Sequence, residues 1–408
     1  MWSRTDACRR AGCACPWMLP ARSSRRFSAA SHGCSTRAAA GSANVNRARP
    51  AAILALIGIS ACVAGCGSNQ VGTKTTPLRG AAFDVTHYGA RGDGSSDNTA
   101  AFAEAIAAAQ AAGGGTVYVP PGTFAFSARK TSSPASVVID GTVPVTLQGA
   151  GRDETSLIQA SSGKGLLGVH VDGTTVEDLT LDTQTHDAGA DIFVQANHTS
   201  LAHMRVLGGS RHFALYYAGP KGARLLAPLY NEGNSVTDLQ LNELVCDDGF
   251  SWSFQKDSTI TDVTHTGSRL ALYGDANTTV TNYTYAPGSQ QCGARNGFWL
   301  TPPADHITIV NFTSSGEGGK VGIIGPGGVG KVASDVTIRG LTMTGSGYHL
   351  AIGDVLNLVL EDCHLGANTI VVNARAQAQG TISNSTYGQL VHSSAPGARD
   401  AISAAGVH

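Results

Sequence analysis

Phe83 to Phe124 reads FDVTHYGARGDGSSDNTAAFAEAIAAAQAAGGGTVYVPPGTF, and four pieces follow one another in it. A short apolar strand runs into Tyr88-Gly89-Ala90, a turn follows at Gly92-Asp93-Gly94, then comes a helix, then three glycines lead into Val117-Tyr118-Val119-Pro120. The helix is expected at about 98–112. Asp97, Asn98 or Thr99 can cap it, alanine fills it, and Phe102, Ile106 and Ala109 recur at helical spacing. Gly113 to Gly115 stop it. One apolar stripe on a single short helix must cover something, and no partner helix is visible downstream. The expected role is a lid.

From residue 145 onward one pattern recurs: apolar, any, small polar or Gly, apolar, any, apolar. Gly149, Asp178, His203, Asp238, Asp262, Asn282, Asn311, Gly340, Asp362 and Asn384 share the register position, with gaps of 29, 25, 35, 24, 20, 29, 29, 22 and 22 residues. Such gaps are coil lengths of a solenoid whose turns pair only with their neighbours. The 83–124 string closely resembles the amino-terminal signature of the pectate-lyase-like superfamily, which includes rhamnogalacturonases, polygalacturonase relatives, alginate epimerases and phage tailspikes. The resemblance implies an all-β fold: a right-handed, single-stranded parallel β-helix of about ten coils with an N-terminal capping α-helix. In that family the helix plugs an end where unpaired strand edges would invite association. For reaction type the signature is nearly silent, because one fold hosts many chemistries.

The expected organisation is a leader at 1–66, a linker at 67–81, the β-helix at 82–388 and a loose or capping tail at 389–408. The leader holds nine Arg, one acid (Asp6) and six of the nine Cys. Its apolar run from Pro50 to Cys66 has signal-peptide length and is short for a membrane span. Val63-Ala64-Gly65-Cys66 resembles a bacterial lipobox, which implies lipidation at Cys66, export, and a lipid anchor as the sole membrane contact. Residues 1–44 are too long for a charged lead-in and point to an over-extended gene start. Without the leader, 19 basic residues face 28 acidic ones, a net charge of −9 in place of −1. A chain that acidic does not suit nucleic acid, which selects a basic face. Cys246, Cys292 and Cys363 lack metal-ligand spacing, and no bridge is expected among them.

Each coil carries a second strand whose first and third residues are apolar: Ile192-Phe193-Val194, Phe213-Ala214-Leu215, Phe250-Ser251-Trp252, Leu270-Ala271-Leu272, Phe298-Trp299-Leu300, Val321-Gly322-Ile323, Leu350-Ala351-Ile352 and Ile370-Val371-Val372. Strand side chains alternate, so these residues point inward. Immediately before them stand Asp191, Arg211-His212, Asp247-Asp248, Arg269, Arg295, Lys320 and His349. Stacking places this charged stripe down one outer face, with steps of roughly 4.8 Å. Trp252 is expected inside the coil. Trp299, at a middle position, is expected outside, where a sugar ring can stack on it. The stripe therefore reads as a polysaccharide-binding groove, with Arg211, His212, Arg269, Arg295, Trp299 and Lys320 as substrate contacts.

Asp247-Asp248 resembles the paired aspartates of polygalacturonase-type glycoside hydrolases. That resemblance implies inverting hydrolysis, with one carboxylic acid protonating the leaving oxygen and one carboxylate activating water. Asp191, two coils away, would be the third catalytic carboxylate, and His212 between them would orient either group. Departures are clear: Ser210-Arg211-His212 and Gly267-Ser268-Arg269 stand where that family has Asn-Thr-Asp and Gly-His-Gly, and His265 is off register. The competing chemistry is elimination or epimerisation of a uronate, with Arg or Lys as base; a lyase of this kind would call for Ca2+ at Asp247 and Asp248. The hydrolase reading requires no cofactor and no metal. A third class is a non-catalytic glycan-binding or structural β-helix, and the oligomeric state is open.

Overall fold

The computed structural model describes residues 82–127, 135–161, 165–184, 190–209, 212–245, 247–289, 297–315, 319–324 and 331–405. The leader with Cys66, the linker, Arg211, Cys246, Cys292 and Arg295 lie outside these residues, as does the side chain of Lys320. Among the described residues no helix is long and apolar enough to cross a membrane.

The chain is a right-handed parallel β-helix, and every strand-strand ladder in it is parallel. One ladder is the regular second-strand stack: Ala135–Ile139, Gly165–Val169, Ala190–Val194, Phe213–Tyr217, Phe250–Ser253, Leu270–Tyr273, Phe298–Thr301, Gly319–Ile324, Tyr348–Ile352, Thr369–Val372 and Gln389–His392. The other ladder uses long strands such as Gln255–Gly267, Ala276–Pro287 and Ala304–Ser315, each paired along most of its length with the coil on either side. The final strands, Gln389–His392 and Arg399–Ala405, continue both ladders through the segment set apart as a tail.

Nine of the ten register residues are where the long strands bend; Gly149 has no left-handed φ. Asp178, His203, Asp238, Asp262, Asn282, Asn311, Gly340, Asp362 and Asn384 all have φ between 47° and 66°. This left-handed region is open to Gly and tolerable for Asn and Asp, whose short polar side chains bond locally. Stacked corners then link to one another: Asn311 Nδ2 donates to Asn282 Oδ1 (3.1 Å), and Asn282 Nδ2 to Asp262 Oδ1 (2.8 Å). A second left-handed line runs through Asp257, Asn277, His306, Asp335 and Asn357. There Asn277 and Asn357 donate to Asp257 (2.5 Å) and Asp335 (3.0 Å). The recurrent small polar residue in the sequence is thus a backbone requirement.

Helix α1 spans Thr99–Ala111. The Asp97 carboxylate accepts from the Thr99 backbone N–H and hydroxyl, so Asp97 closes its first turn. Asn98 instead ties Arg91, Ser96 and Ala125 backbone groups together. Ala101, Phe102, Ala105, Ile106 and Ala109 are buried, and Phe102 meets Phe124 and Phe126 edge-on at 5.9 and 4.9 Å. Gly113, Gly114 and Gly115 all take positive φ, which ends the helix.

Inside the coils, Ile192, Leu215, Phe250, Leu270, Phe298, Leu350 and Ile370 form one buried row. Two expected alignments shift. Ile192 pairs with Leu215, not Phe213, and Phe298 pairs with Gly322, not Val321, beside an irregularity at Lys320/Gly322. Alternation fixes register only to within two residues, since a slip of two returns every side chain to the same face, which accounts for Leu215; the one-residue step from Val321 to Gly322 comes with the irregularity beside Lys320. Trp252 is fully buried and Trp299 half-buried, as the alternation requires.

Replacing Asn282 by Val should cost about 1–2 kcal/mol more than replacing it by Gly, because only the Val variant strains the left-handed backbone. Urea denaturation of the two variants checks this order.

Candidate functional site

Four members of the outer stripe, His212, Asp247, Asp248 and Arg269, meet at one corner, where the turns after Ser235–Glu243 and Gln255–Gly267 enter the second ladder. Asp248 Oδ1 receives Arg269 through both Nε (2.6 Å) and Nη2 (2.5 Å). The pair is largely enclosed, with side-chain exposures of 7% for Asp248 and 16% for Arg269. The Arg269 guanidinium in turn lies 4.6 Å from the centre of the Trp299 ring, a cation–π contact that fixes its plane. Asp247 stays open to solvent and faces His212, whose Nδ1 is 3.7 Å from its Oδ2. Beyond His212 an aromatic run continues along the outer face: Phe213 stacks on Tyr216 (4.6 Å), and Tyr216 meets Phe193 edge-on (5.5 Å). His212, Asp247, Asp248, Arg269 and Trp299 therefore form one assembly.

Asp191 does not join it. The residue is 1% exposed, with the Thr183 hydroxyl as the one donor that acts on its carboxyl. Burial holds its carboxyl well above the usual carboxylate range; the Thr183 hydroxyl opposes this, and Glu243 and Asp182 add charge repulsion. A group so enclosed is not positioned to meet a polysaccharide. The strand-end position that Asp191 occupies was expected to face out, but here it lies against the polar interior of the corner. Arg211 and Arg295 fall outside the described residues. Lys320 stands in its strand opposite His349, with no side chain described.

Directly beneath the assembly lies a buried polar network that the outward stripe does not contain. Glu243, His265 and Tyr283 are all enclosed. His265 Nε2 is 3.1 Å from Glu243 Oε1 and its Nδ1 is 2.7 Å from the Tyr283 hydroxyl. A signal for it exists in the sequence: Leu239, Leu241 and Glu243 share one parity, as do Val263 and His265, so a carboxylate and an imidazole occupy inward slots. Asp247 and Asp248 are not part of the one grouping of three potential metal ligands among the described residues, which is Asp305, His306 and Asp335. Cys363 is a buried free thiol.

A parallel β-helix with a charged and aromatic outer corner defines the class of protein. The family follows: a model described as rhamnogalacturonase A/epimerase, pectate lyase-like matches residues 82–297, and the chain belongs to that family. Among curated relatives, mannuronan C5-epimerase AlgE4 of Azotobacter vinelandii is 41% identical over 109 residues, 24% of this chain and 19% of that protein. Alginate lyase 7 of the same organism is 33% identical over 111 residues, 27% of this chain and 13% of its own length. Mannuronan C5-epimerase AlgE3 is 37% identical over 118 residues, 27% of this chain and 6% of that protein. These matches thus span under a fifth of the relatives' length. Among solved structures, the A-module of AlgE4 superposes with a TM-score of 0.43 at 18% identity, covering 78% of this chain and 96% of that one. A GH87 α-1,3-glucanase from Streptomyces thermodiastaticus gives 0.42 at 15%, covering 82% and 70%.

Asp191→Asn should stabilise the protein, and the gain should depend on pH. The folded-state carboxyl is raised above its value in the unfolded chain. Unfolding therefore releases a proton, and the wild type loses stability as pH rises above about 4. Denaturation midpoints of the two proteins should coincide near pH 3.5 and separate towards pH 7, with the variant higher.

Proposed function

We propose that this chain modifies a uronate-containing polysaccharide by removing the proton at carbon 5 of a sugar unit, as a lyase or C5-epimerase. The observation that carries this reading is the fate of the three carboxylates expected to hydrolyse a glycosidic bond. Asp191 is enclosed, and Asp248 is bound through one oxygen to Arg269, leaving only Asp247 open in the groove. Inverting hydrolysis needs two carboxyl groups that flank the scissile bond with a water between them. Proton abstraction needs one base and a cation near the sugar carboxylate, which the corner can supply.

In this mechanism His212, oriented by Asp247, takes the C5 proton. Arg269 presents positive charge beside the sugar carboxylate, where negative charge builds as the C5–H bond breaks. Trp299 carries the Arg269 guanidinium over its ring, and Phe213 and Tyr216 extend an aromatic surface to the neighbouring unit. Delivery of a proton from water to the opposite face of C5, with His212 giving its own proton to solvent, inverts the centre. Expulsion of the O4 leaving group instead gives an unsaturated sugar. The curated relatives carry names of both kinds, mannuronan C5-epimerase and alginate lyase. Export with a lipid anchor at Cys66 would bring the groove to extracytoplasmic polysaccharide.

The test is incubation of the purified protein with polymannuronate in D2O, followed by proton NMR, ultraviolet absorbance and reducing-end release. Deuterium at C5 without absorbance marks an epimerase, and ultraviolet absorbance with new reducing ends marks a lyase, whose unsaturated product keeps no hydrogen at C5; either result supports the reading. New reducing ends with neither deuterium nor absorbance would establish hydrolysis and end the proposal. His212→Gln should lower turnover by about 10²-fold or more, the usual contribution of a general base, and Arg269→Ala should do likewise.

A further inference from the structure

Two turns must be held together for the corner to exist, and a single buried carboxylate touches both. Glu243 Oε2 accepts the backbone N–H of Val245 (2.5 Å), at the start of the turn that carries Asp247 and Asp248. Its Oε1 accepts the backbone N–H of Ser268, the residue before Arg269. Ser268 Oγ then donates to the Asp247 carbonyl, a second tie between the same two turns. Room for this arrangement is made by two glycines. A Cβ at Gly249 or at Gly267 would collide with Glu243 Oε1. Both turns are therefore shaped around the carboxylate.

We infer that Glu243 is the positioning residue of the corner: it clamps the Asp247-Asp248 turn to the Ser268-Arg269 turn, and His265 and Tyr283 hold it in place. The hydrogen-bond bookkeeping is closed. Glu243 accepts two backbone N–H groups, and with the carboxylate as acceptor throughout, His265 Nε2 donates the third hydrogen to it. In the neutral ring Nδ1 is then an acceptor, and the Tyr283 hydroxyl donates to it. Burial, with Tyr285 and Glu243 nearby, keeps the Tyr283 phenol protonated far beyond its ordinary range. Tyr283 is itself fixed by face-to-face stacking on Phe312 at 5.0 Å and 3°. The chain Phe312, Tyr283, His265, Glu243 thus transmits the rigidity of the apolar interior to the Asp248–Arg269 ion pair on the outer face. Neither His265 nor Glu243 touches the groove, so their role is placement, not contact with substrate.

The catalytic part of this inference rests on the proton-abstraction reading above; the clamp itself does not. Glu243→Gln keeps the side-chain shape but turns one acceptor oxygen into an NH2 that must face a donor. The expected result is a fall in kcat of at least about tenfold with KM within about twofold, since the groove surface is retained while its geometry loosens. Tyr283→Phe, which keeps the packing and removes only the donor to Nδ1, should lower kcat in the same direction by less. Wild-type kcat in Glu243→Gln, or a change confined to KM or to thermal stability, overturns the role. An assay-free readout separates the two proposals. The Arg269 Nε–H is held by Asp248 at 2.6 Å, and its solvent exchange, followed by 1H–15N NMR, should accelerate at least about tenfold in Glu243→Gln. Unchanged exchange overturns the clamp whether or not the wild type acts on polymannuronate. Faster exchange in a protein inactive on that polymer upholds the clamp and removes only the substrate reading.

Discussion

No coil of this protein can satisfy its own backbone. Each strand gives and takes its hydrogen bonds from the coils above and below, so every turn must repeat with the same rise or the ladder fails. The left-handed corners enforce that repeat. They bend the long strands at one fixed place per coil, and the side chains that tolerate the bend also bond to their counterparts one coil away. With the corners stacked, apolar residues at alternate positions converge without further instruction, and the buried rows follow. At the N-terminal side of the described coils α1 lays Phe102 over the aromatic pair Phe124 and Phe126 and covers their apolar surface.

Most of this architecture is legible in the sequence because it is dictated by backbone geometry. Asp178, Asp262, Asn282 and Asn311 stand out by chemistry and spacing, and the three glycines after Ala112 mark the helix end. What escapes is register at the level of two residues. Phe213 and Leu215 have the same parity, and no local rule says which of them lies beside Ile192. The structure chooses Leu215, and His212 moves back with the strand.

The candidate site was legible in part, for a related reason. Asp248, Arg269, His212 and Trp299 were found because charged and aromatic residues at strand ends are conspicuous, and the fold does bring them to one corner. Asp191 obeys the same surface rule and breaks it in space. Whether a strand-end residue meets solvent depends on the turn that passes over it, and turns carry little periodic signal. The reverse error hid Glu243 and His265. An inward parity implies an apolar interior, yet here it hosts a carboxylate, an imidazole and a phenol that satisfy one another. Polar residues in inward slots on successive coils are informative as a set, although each one alone reads as an irregularity.

The corner ladder also has a direction. Asn311 passes an N–H to Asn282, and Asn282 passes one to Asp262, where the run ends because a carboxylate has no N–H to hand on. The shorter runs from Asn277 to Asp257 and from Asn357 to Asp335 end in the same way. Asn and Asp fit the left-handed bend equally well, but they are not interchangeable along it. An aspartate closes a run, and where a second one follows on the next coil, as Asp238 follows Asp262, a cation has to answer it: Arg152 pairs with Asp238. The coils therefore carry a polarity beyond that of the chain itself. Exchanging or duplicating them, in evolution or by hand, has to respect the order of amides and carboxylates as well as the length of each turn.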